Sequence, residues 1–425
     1  MLSLHRGCLI DTDEQRSLRC DGEGWLGVED ARIVYRGRAR PPGFADAQVH
    51  DWGDALIVPG LIDTHVHLPQ LCFAGIGGQP LMQWLQEQTL PTEARFADEA
   101  FAQMASERFF SSLLAAGTTT AAIYLSVHEQ AGHLAFAAAD RAGLRAWMGK
   151  SLMDARSPDD LQESTAEALA SMQRLIERWH GHGLLRYVVT PRFALSCTPE
   201  LMRAAGEMAR HHQCRIQTHL AENHEEIRAT AEAFPGSEHY TAVYRDHGLL
   251  DECLLAHCLH LGDQELEMMR QHHACVVHCP SSNRFLESGV FYADRFDRAG
   301  LGWSLGSDVG AGYGPSMLKE VREAMETAKT SRILGREQSR LTLGQALHAC
   351  TRGGAAALGV ADELGALQPG YQADFVVLDD SAVNEFAGSR MFQSPGQRLE
   401  RLVYRGAETA VRASWVAGRM RFHRN

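Results

Sequence analysis

The chain contains no unbroken run of about 18 apolar residues, the length a membrane-crossing helix needs, so no span is expected. Its first residues, MLSLHRGCLIDTDEQ, lack the apolar core of a secretory signal and turn acidic quickly; a cytoplasmic location is the expectation. The 10 cysteines are scattered and form no C-x-x-C pair. Several stand in apolar, strand-like runs, where a free thiol behaves as a small hydrophobe. They read as reduced structural residues, Cys279 beside Pro280 among them, rather than as a disulfide framework. There is no basic excess: 41 Lys and Arg stand against 53 Asp and Glu, a net charge of −12. That balance argues against a general binder of nucleic acid or of an anionic membrane. No internal repeat and no low-complexity tract is evident.

What is present is an ordinary globular composition, 45% hydrophobic over 425 residues, enough for a large core and more than one structural unit. Apolar β-branched or aromatic runs alternate with stretches of helical spacing. Eight strand candidates emerge: Ile57–His67, Thr118–Leu125, Arg145–Met153, Arg186–Phe193, Arg215–Glu222, Leu254–Leu261, Ala274–Asn283 and Leu301–Asp308. Continuous apolar strands alternating with helices imply a parallel sheet buried on both faces. Eight such units over ~250 residues predict an α/β chain built on a closed (β/α)8 barrel, here residues 59–364. Residues 1–58 and 365–425 read as short strands with Gly/Asp turns and are expected to form one small composite β domain.

The segment Pro59–Gln70, PGLIDTHVHLPQ, holds His65 and His67 at the end of an apolar run. Residues two apart on a strand point the same way, so both imidazoles can face one divalent metal. Three later strand-like runs end in a residue able to complete the set: His219, His257 and Asp308. The strand C-termini carry the chemistry in a barrel of this kind. Glu222 lies three residues beyond His219, where a continuing strand would aim it the opposite way. The strand must therefore be ending, leaving a carboxylate beside the metal site to shuttle protons. Arg192 and Phe193 end the fourth strand; a guanidinium fork suits a carbonyl or anionic oxygen and a ring suits a planar partner. Gly306, Gly310, Gly312 and Gly314 surround Asp308 and point to tight, non-helical backbone. The connection Leu68–Arg95, with Trp84 and PTEARF, is unusually long, as functional loops often are. His278 either lines the site or satisfies a buried hydrogen bond. His211, His212, His272 and His273 lie on polar helical stretches and read as surface residues.

PGLIDTHVHLPQ, the QWL and PTEARF segments, TPRFALSC, QTHLAEN, AHC, HCPSSN and SDVGAGYGPSML together resemble the amidohydrolase superfamily, and within it the branch that deaminates guanine. The resemblance covers nearly the whole chain. It implies an amidohydrolase-type barrel with a small β-sandwich domain from both termini. It implies one zinc per chain on His65, His67, His219 and Asp308, with His257 beside the reactive water and Glu222 as proton carrier. It implies a purine, guanine, held by Gln70, Arg192 and Phe193, with Arg192 aimed at the carbonyl side and Trp84 and His219 among the contacts. It also implies a cytoplasmic homodimer. Ser307 precedes Asp308 where Thr is common in the family, a minor departure. Two alternatives stay open. One is a superfamily relative acting on a pterin, triazine, formimino acid or cyclic amide, whose binuclear form would need a carboxylated lysine; Lys150 is the candidate. The other is a barrel that has lost its chemistry and serves as a scaffold.

Overall fold

Strands form where the β-branched and apolar runs lie, and their order decides which sheet each joins. The computed structural model describes residues 2–383, 394–407 and 409–424. The chain opens with β1 (Leu2–Thr12), β2 (Leu18–Glu29), β3 (Arg32–Gly37) and β4 (Gln48–Pro59). Eight strands follow: β5 (Leu61–His67), β6 (Thr118–Leu125), β7 (Arg145–Leu152), β8 (Leu185–Pro191), β9 (Arg215–Leu220), β10 (Leu254–His257), β11 (Cys275–His278) and β12 (Trp303–Leu305). The last three are β13 (Phe375–Leu378), β14 (Val411–Val416) and β15 (Arg419–His423).

β5 to β12 lie side by side in chain order and pair in parallel throughout. Helices between them, such as Glu99–Ala115, Glu129–Ala142 and Thr165–Trp179, bury apolar faces against the sheet. Every residue of β5 and β6 is buried, which explains why these strands read as continuous rather than alternating runs. The first and last strands meet to make the barrel. Asp308 N donates to the His65 carbonyl at 2.8 Å and His67 N to the Val309 carbonyl at 3.1 Å. Thr64 Oγ1 lies 2.8 Å from Ser304 Oγ and donates to the Leu305 carbonyl at 2.9 Å. Gly306 permits this approach, because a Cβ there would sit 2.6 Å from His65 Cβ.

The seven remaining strands form a second sheet in the order β15-β14-β13-β4-β1-β2-β3, drawn from both ends of the chain as the turn-rich termini led us to expect. β1 and β4 pair in parallel; the other pairings are antiparallel.

Several expected strands end early, Leu254–Leu261 at His257 and Leu301–Asp308 at Leu305, and two break into different elements. Ile57–His67 is not one strand: Ile57 and Val58 pair with Val377 and Val376 in the terminal sheet, and the barrel strand starts only at Leu61. The apolar run Ala55–Val58 therefore belongs to the terminal sheet, and Pro59-Gly60 carries the chain across. Gly60 fits because a Cβ would lie 2.0 Å from Thr119 Oγ1. The stretch Ala274–Asn283 ends as a strand at His278, and Pro280 begins the helix Pro280–Phe285; proline favours a first helical turn.

The terminal sheet buries a histidine. His5 has no solvent exposure and stacks on His50 at 4.8 Å between ring centroids, with Phe375 and Trp415 edge-on. Its Nδ1 accepts from Trp52 Nε1 and its Nε2 contacts Ser3 Oγ at 3.1 Å. A second ring proton would point at the Trp52 N–H. Burial, reinforced by His50, pushes the His5 pKa from 6.5 down to about 3. The unfolded chain therefore binds the proton first, and the stability that neutral His5 confers is fully present above pH 6.5 and is lost as pH falls toward 3. By pH 5 that loss amounts to about 2 kcal/mol. Urea midpoints measured from pH 7 to pH 5 should fall in the parent and fall less in His5→Gln, which keeps an acceptor for Trp52 but takes no proton; parallel profiles would refute the assignment.

Candidate metal and active site

The residues at the strand ends converge as the sequence led us to expect. Alternation along β5 sends His65 and His67 the same way, and their Nε2 atoms lie 3.3 Å apart. His219, in β9, brings its Nε2 to 3.2 Å from that of His67. Asp308 Oδ1, just past β12, lies 3.2 Å from His65 Nε2 and 3.4 Å from His67 Nε2. Hydrogen bonds alone do not account for this cluster, because neutral imidazoles cannot satisfy so many nitrogens against one another. The separations match the edges of a tetrahedron, about 3.4 Å long when metal–nitrogen bonds are ~2.0–2.1 Å. The donor set, three imidazoles and a carboxylate, fits a divalent ion of zinc's type.

His219 and Asp308 are held from behind, which for His219 fixes which nitrogen is free. His219 Nδ1 lies 2.6 Å from the Arg192 carbonyl, so it carries the proton and leaves Nε2 as a lone pair. Asp308 Oδ2 accepts from Ser282 Oγ at 2.6 Å. Asp63 is buried and takes Ser307 Oγ at 2.5 Å, Ser307 N at 2.9 Å and His65 N at 3.2 Å, tying the approach to Asp308 to the strand that carries the histidines. Burial lifts the Asp63 carboxyl to about 7. Burial also lowers the pKa values of His65, His67 and His219, keeping them in the neutral form that ligates. The same burial opposes ionisation of Asp308, but His65, His257 and His67 overcome it and hold that carboxyl well below its usual range.

His257 stands next to this cluster. Its Nδ1 pairs with Asn283 Oδ1 at 2.8 Å, and its buried Nε2 has no hydrogen-bond partner. That nitrogen lies 3.5 Å from Glu222 Oε2 and 3.8 Å from Asp308 Oδ2. Glu222 reaches it because Ala221 is left-handed, φ 51°, and turns the chain as β9 ends. His257 and Asp308 are left-handed too, at φ 71° and 48°, a local cost that concentrates where chains are re-aimed at a site. Glu222 Oε1 accepts from Ser288 Oγ at 2.9 Å. Burial raises its pKa to about 7, with His257 pulling the other way. His278 is not a ligand in this arrangement: it stacks on Phe291 at 4.1 Å, and Asn283 Nδ2 lies 3.4 Å from its Nδ1. Cys279 Sγ lies near His65, His257 and Asp308, and burial holds its thiol protonated. His211 and His273 are exposed, and His212 and His272 half-buried.

A pocket opens over the cluster, lined by Gln70, Trp84, Arg192, Phe193, His219 and Glu222 among others. A larger depression between Ala293 and Gln345 contains none of these side chains. Trp84 supplies a wall, its Nε1 being engaged by the Ile76 carbonyl at 2.8 Å. Arg192 does not stand alone: Nη1 donates to Glu93 Oε2 at 2.5 Å. Glu93, Asp63, Ser282, Asn283 and Ser288 were not singled out in the sequence. PTEARF put Glu93 in the long connection, but nothing in the segment pointed to Arg192.

Lys150 lies elsewhere. Its ammonium binds Glu163 Oε1 at 2.6 Å and Ser171 Oγ at 2.7 Å, in the helical layer. It is committed to that buried ion pair, away from the imidazoles.

The profile of the amidohydrolase family matches residues 56–420, and the chain belongs to that family. Its relatives there include guanine deaminases. The chain is 35% identical to guanine deaminase of Escherichia coli strain K12, an alignment covering 98% of this chain and 95% of the relative. It is 37% identical to the probable guanine deaminase of Deinococcus radiodurans, over 89% of this chain and 86% of that one. Among solved structures it resembles guanine deaminase from C. acetobutylicum with guanine bound in its active site. That match has a TM-score of 0.94 and 28% identity, and covers 99% of this chain and 100% of the other.

Lys150→Met should leave metal content unchanged while destabilising the fold by about 3–5 kcal/mol, since it strands Glu163 without its partner. Elemental analysis and urea unfolding of the same preparation check both halves; loss of metal would place Lys150 at the metal site.

Proposed function

We propose that this chain hydrolyses guanine to xanthine and ammonia. The observation that carries the reading is one pocket lined by His67, His219 and Asp308 of the ligand cluster, by the buried carboxylate of Glu222, and by an arginine and a glutamine that carry N–H donors. A zinc ion on His65, His67, His219 and Asp308 would lower the pKa of a water to about 7 and so supply a nucleophile at neutral pH.

The rest is the work of side chains. Arg192 and Gln70 donate to the purine, and Arg can only donate, which suits guanine's carbonyl oxygen. Phe193 and Trp84 supply ring surface for the planar base. Glu222 takes one proton from the attacking water and delivers it to the ring nitrogen next to the amine-bearing carbon, then takes the remaining proton from the new hydroxyl and delivers it to the departing amine. The C–O bond forms, the C–N bond breaks, and ammonia leaves. Ser288 holds one oxygen of Glu222, so the other is left to His257 and the reacting centre. His257 orients the water through its otherwise unpartnered Nε2. Burial disfavours its charged form, yet Glu222 and Asp308 raise its pKa above the ordinary value. Lys150's commitment to Glu163 supports a single ion per chain. The reading includes the homodimer and cytoplasmic location that the resemblance implied. Among the described residues no helix is long and apolar enough to cross a membrane.

Purified protein should contain one zinc per chain, and a chelator should abolish activity that zinc restores; two ions per chain would contradict the mononuclear reading. Ammonia release measured on guanine, adenine, cytosine and a pterin should favour guanine, by up to ~10⁴-fold over adenine. Faster turnover of any of the others would overturn the substrate. Glu222→Gln should keep zinc and fold and lose ~10²–10⁴ in kcat; near-parental turnover at equal zinc content would reduce Glu222 to a structural role.

A further inference from the structure

Glu93 is a buried carboxylate that no step of the proposed reaction uses. It stands on the helix Leu90–Ala94, late in the long excursion after β5, with 1% of its surface exposed. Its two oxygens do different jobs. Oε2 accepts from Arg192 Nη1 at 2.5 Å, and Oε1 accepts from Gln70 Nε2 at 3.2 Å. Gln70 in turn accepts, through Oε1, from Gly310 N at 3.2 Å, two residues past Asp308.

A carboxylate only accepts, a guanidinium only donates, and an amide does one at each end. With Glu93 on one side and the Gly310 N–H on the other, the Gln70 amide has a single satisfied orientation. Its nitrogen faces Glu93 and its oxygen faces the Gly310 N–H. Arg192 offers the cavity only N–H groups, and Gln70, held from both ends, keeps one amide N–H that Glu93 does not take.

We propose that Glu93 is the positioning residue for substrate choice: it sets Gln70 and Arg192 as a frame that presents N–H donors, and thereby selects a purine carrying a carbonyl acceptor. The inference rests on the reading that the cavity takes guanine. Glutamine at position 93 cannot substitute. Its amine must face either Arg192 or Gln70, donor against donor. If Gln70 flips to accept from it, the Gln70 amine then meets the Gly310 N–H. An exchange of the two residues behaves differently. In Gln70→Glu combined with Glu93→Gln, position 70 accepts from both Gly310 and position 93, and position 93 still accepts from Arg192. Every internal hydrogen bond is recovered, but position 70 now shows the cavity an acceptor.

The test is steady-state kinetics of the zinc-loaded enzyme on guanine and on 2-aminopurine, which has the same reacting amine and lacks the carbonyl. The parent should prefer guanine. Glu93→Gln should raise KM for guanine ~10–100-fold with kcat changed less than ~3-fold, the pattern of lost binding rather than lost chemistry. Its preference for guanine over 2-aminopurine should shrink by a similar factor, at unchanged zinc content. The exchanged double variant should regain the parental thermal midpoint and not the preference, and it carries the test if Glu93→Gln does not fold. A parent that prefers guanine while Glu93→Gln keeps its KM and preference would overturn this proposal alone. So would a double variant that recovers the preference along with stability. A parent indifferent to the two purines would overturn the guanine reading and this proposal with it.

Discussion

The seam between the first and last barrel strands is the constraint on which the site depends. Its ligands come from both sides of that seam: His65 and His67 from β5, Asp308 from just beyond β12. The hydrogen bond from Asp308 N to the His65 carbonyl, and the Asp63 bridge to Ser307, make the ligand distances a property of the backbone. The short β12 contributes little ladder of its own, so polar side chains do part of the closing. Thr64 and Ser304 meet within the seam, a buried pairing in which each hydroxyl has a partner. A barrel opened at this edge would keep its helices and lose its metal set.

Around the seam the protein places an unusual density of polar groups out of water. Most are answered by a second group rather than by solvent: His219 by a carbonyl, His257 by Asn283, Asp308 by Ser282, Glu222 by Ser288. The exceptions face inward. His257 Nε2 has no partner, and the three imidazole nitrogens and the Asp308 oxygen meet only one another. The groups that hold these side chains are paired, and the inward-facing atoms are left for what the site binds.

Periodicity and strand ends made much of this legible. His65, His67, His219, His257 and Asp308 could be found because a parallel barrel puts chemistry where an apolar run stops. Glu222 was legible from a parity conflict, which the left-handed Ala221 resolves. The division between β4 and β5 was not, because both halves of Ile57–His67 are equally apolar and only the pairing with β13 separates them. Glu93, Asp63, Ser282 and Ser288 escaped for another reason. Each acts through a partner distant in sequence, and nothing local to an acid or a hydroxyl names the residue it will meet. Arg192 shows the same gap: its place at a strand end was readable, its dependence on Glu93 was not.

β4 runs into β5 with only Gly60 between, so the strand that carries the first two candidate ligands hangs from the terminal sheet. β4 needs two neighbours there: β1, made before it, and β13, made hundreds of residues later. During synthesis on the ribosome, one edge of β4 must stay unpaired until the entire barrel has been translated. The anchor of the metal strand is thus among the last contacts to form. The nascent barrel waits with an open sheet edge, the kind of surface on which chaperones and stray strands compete.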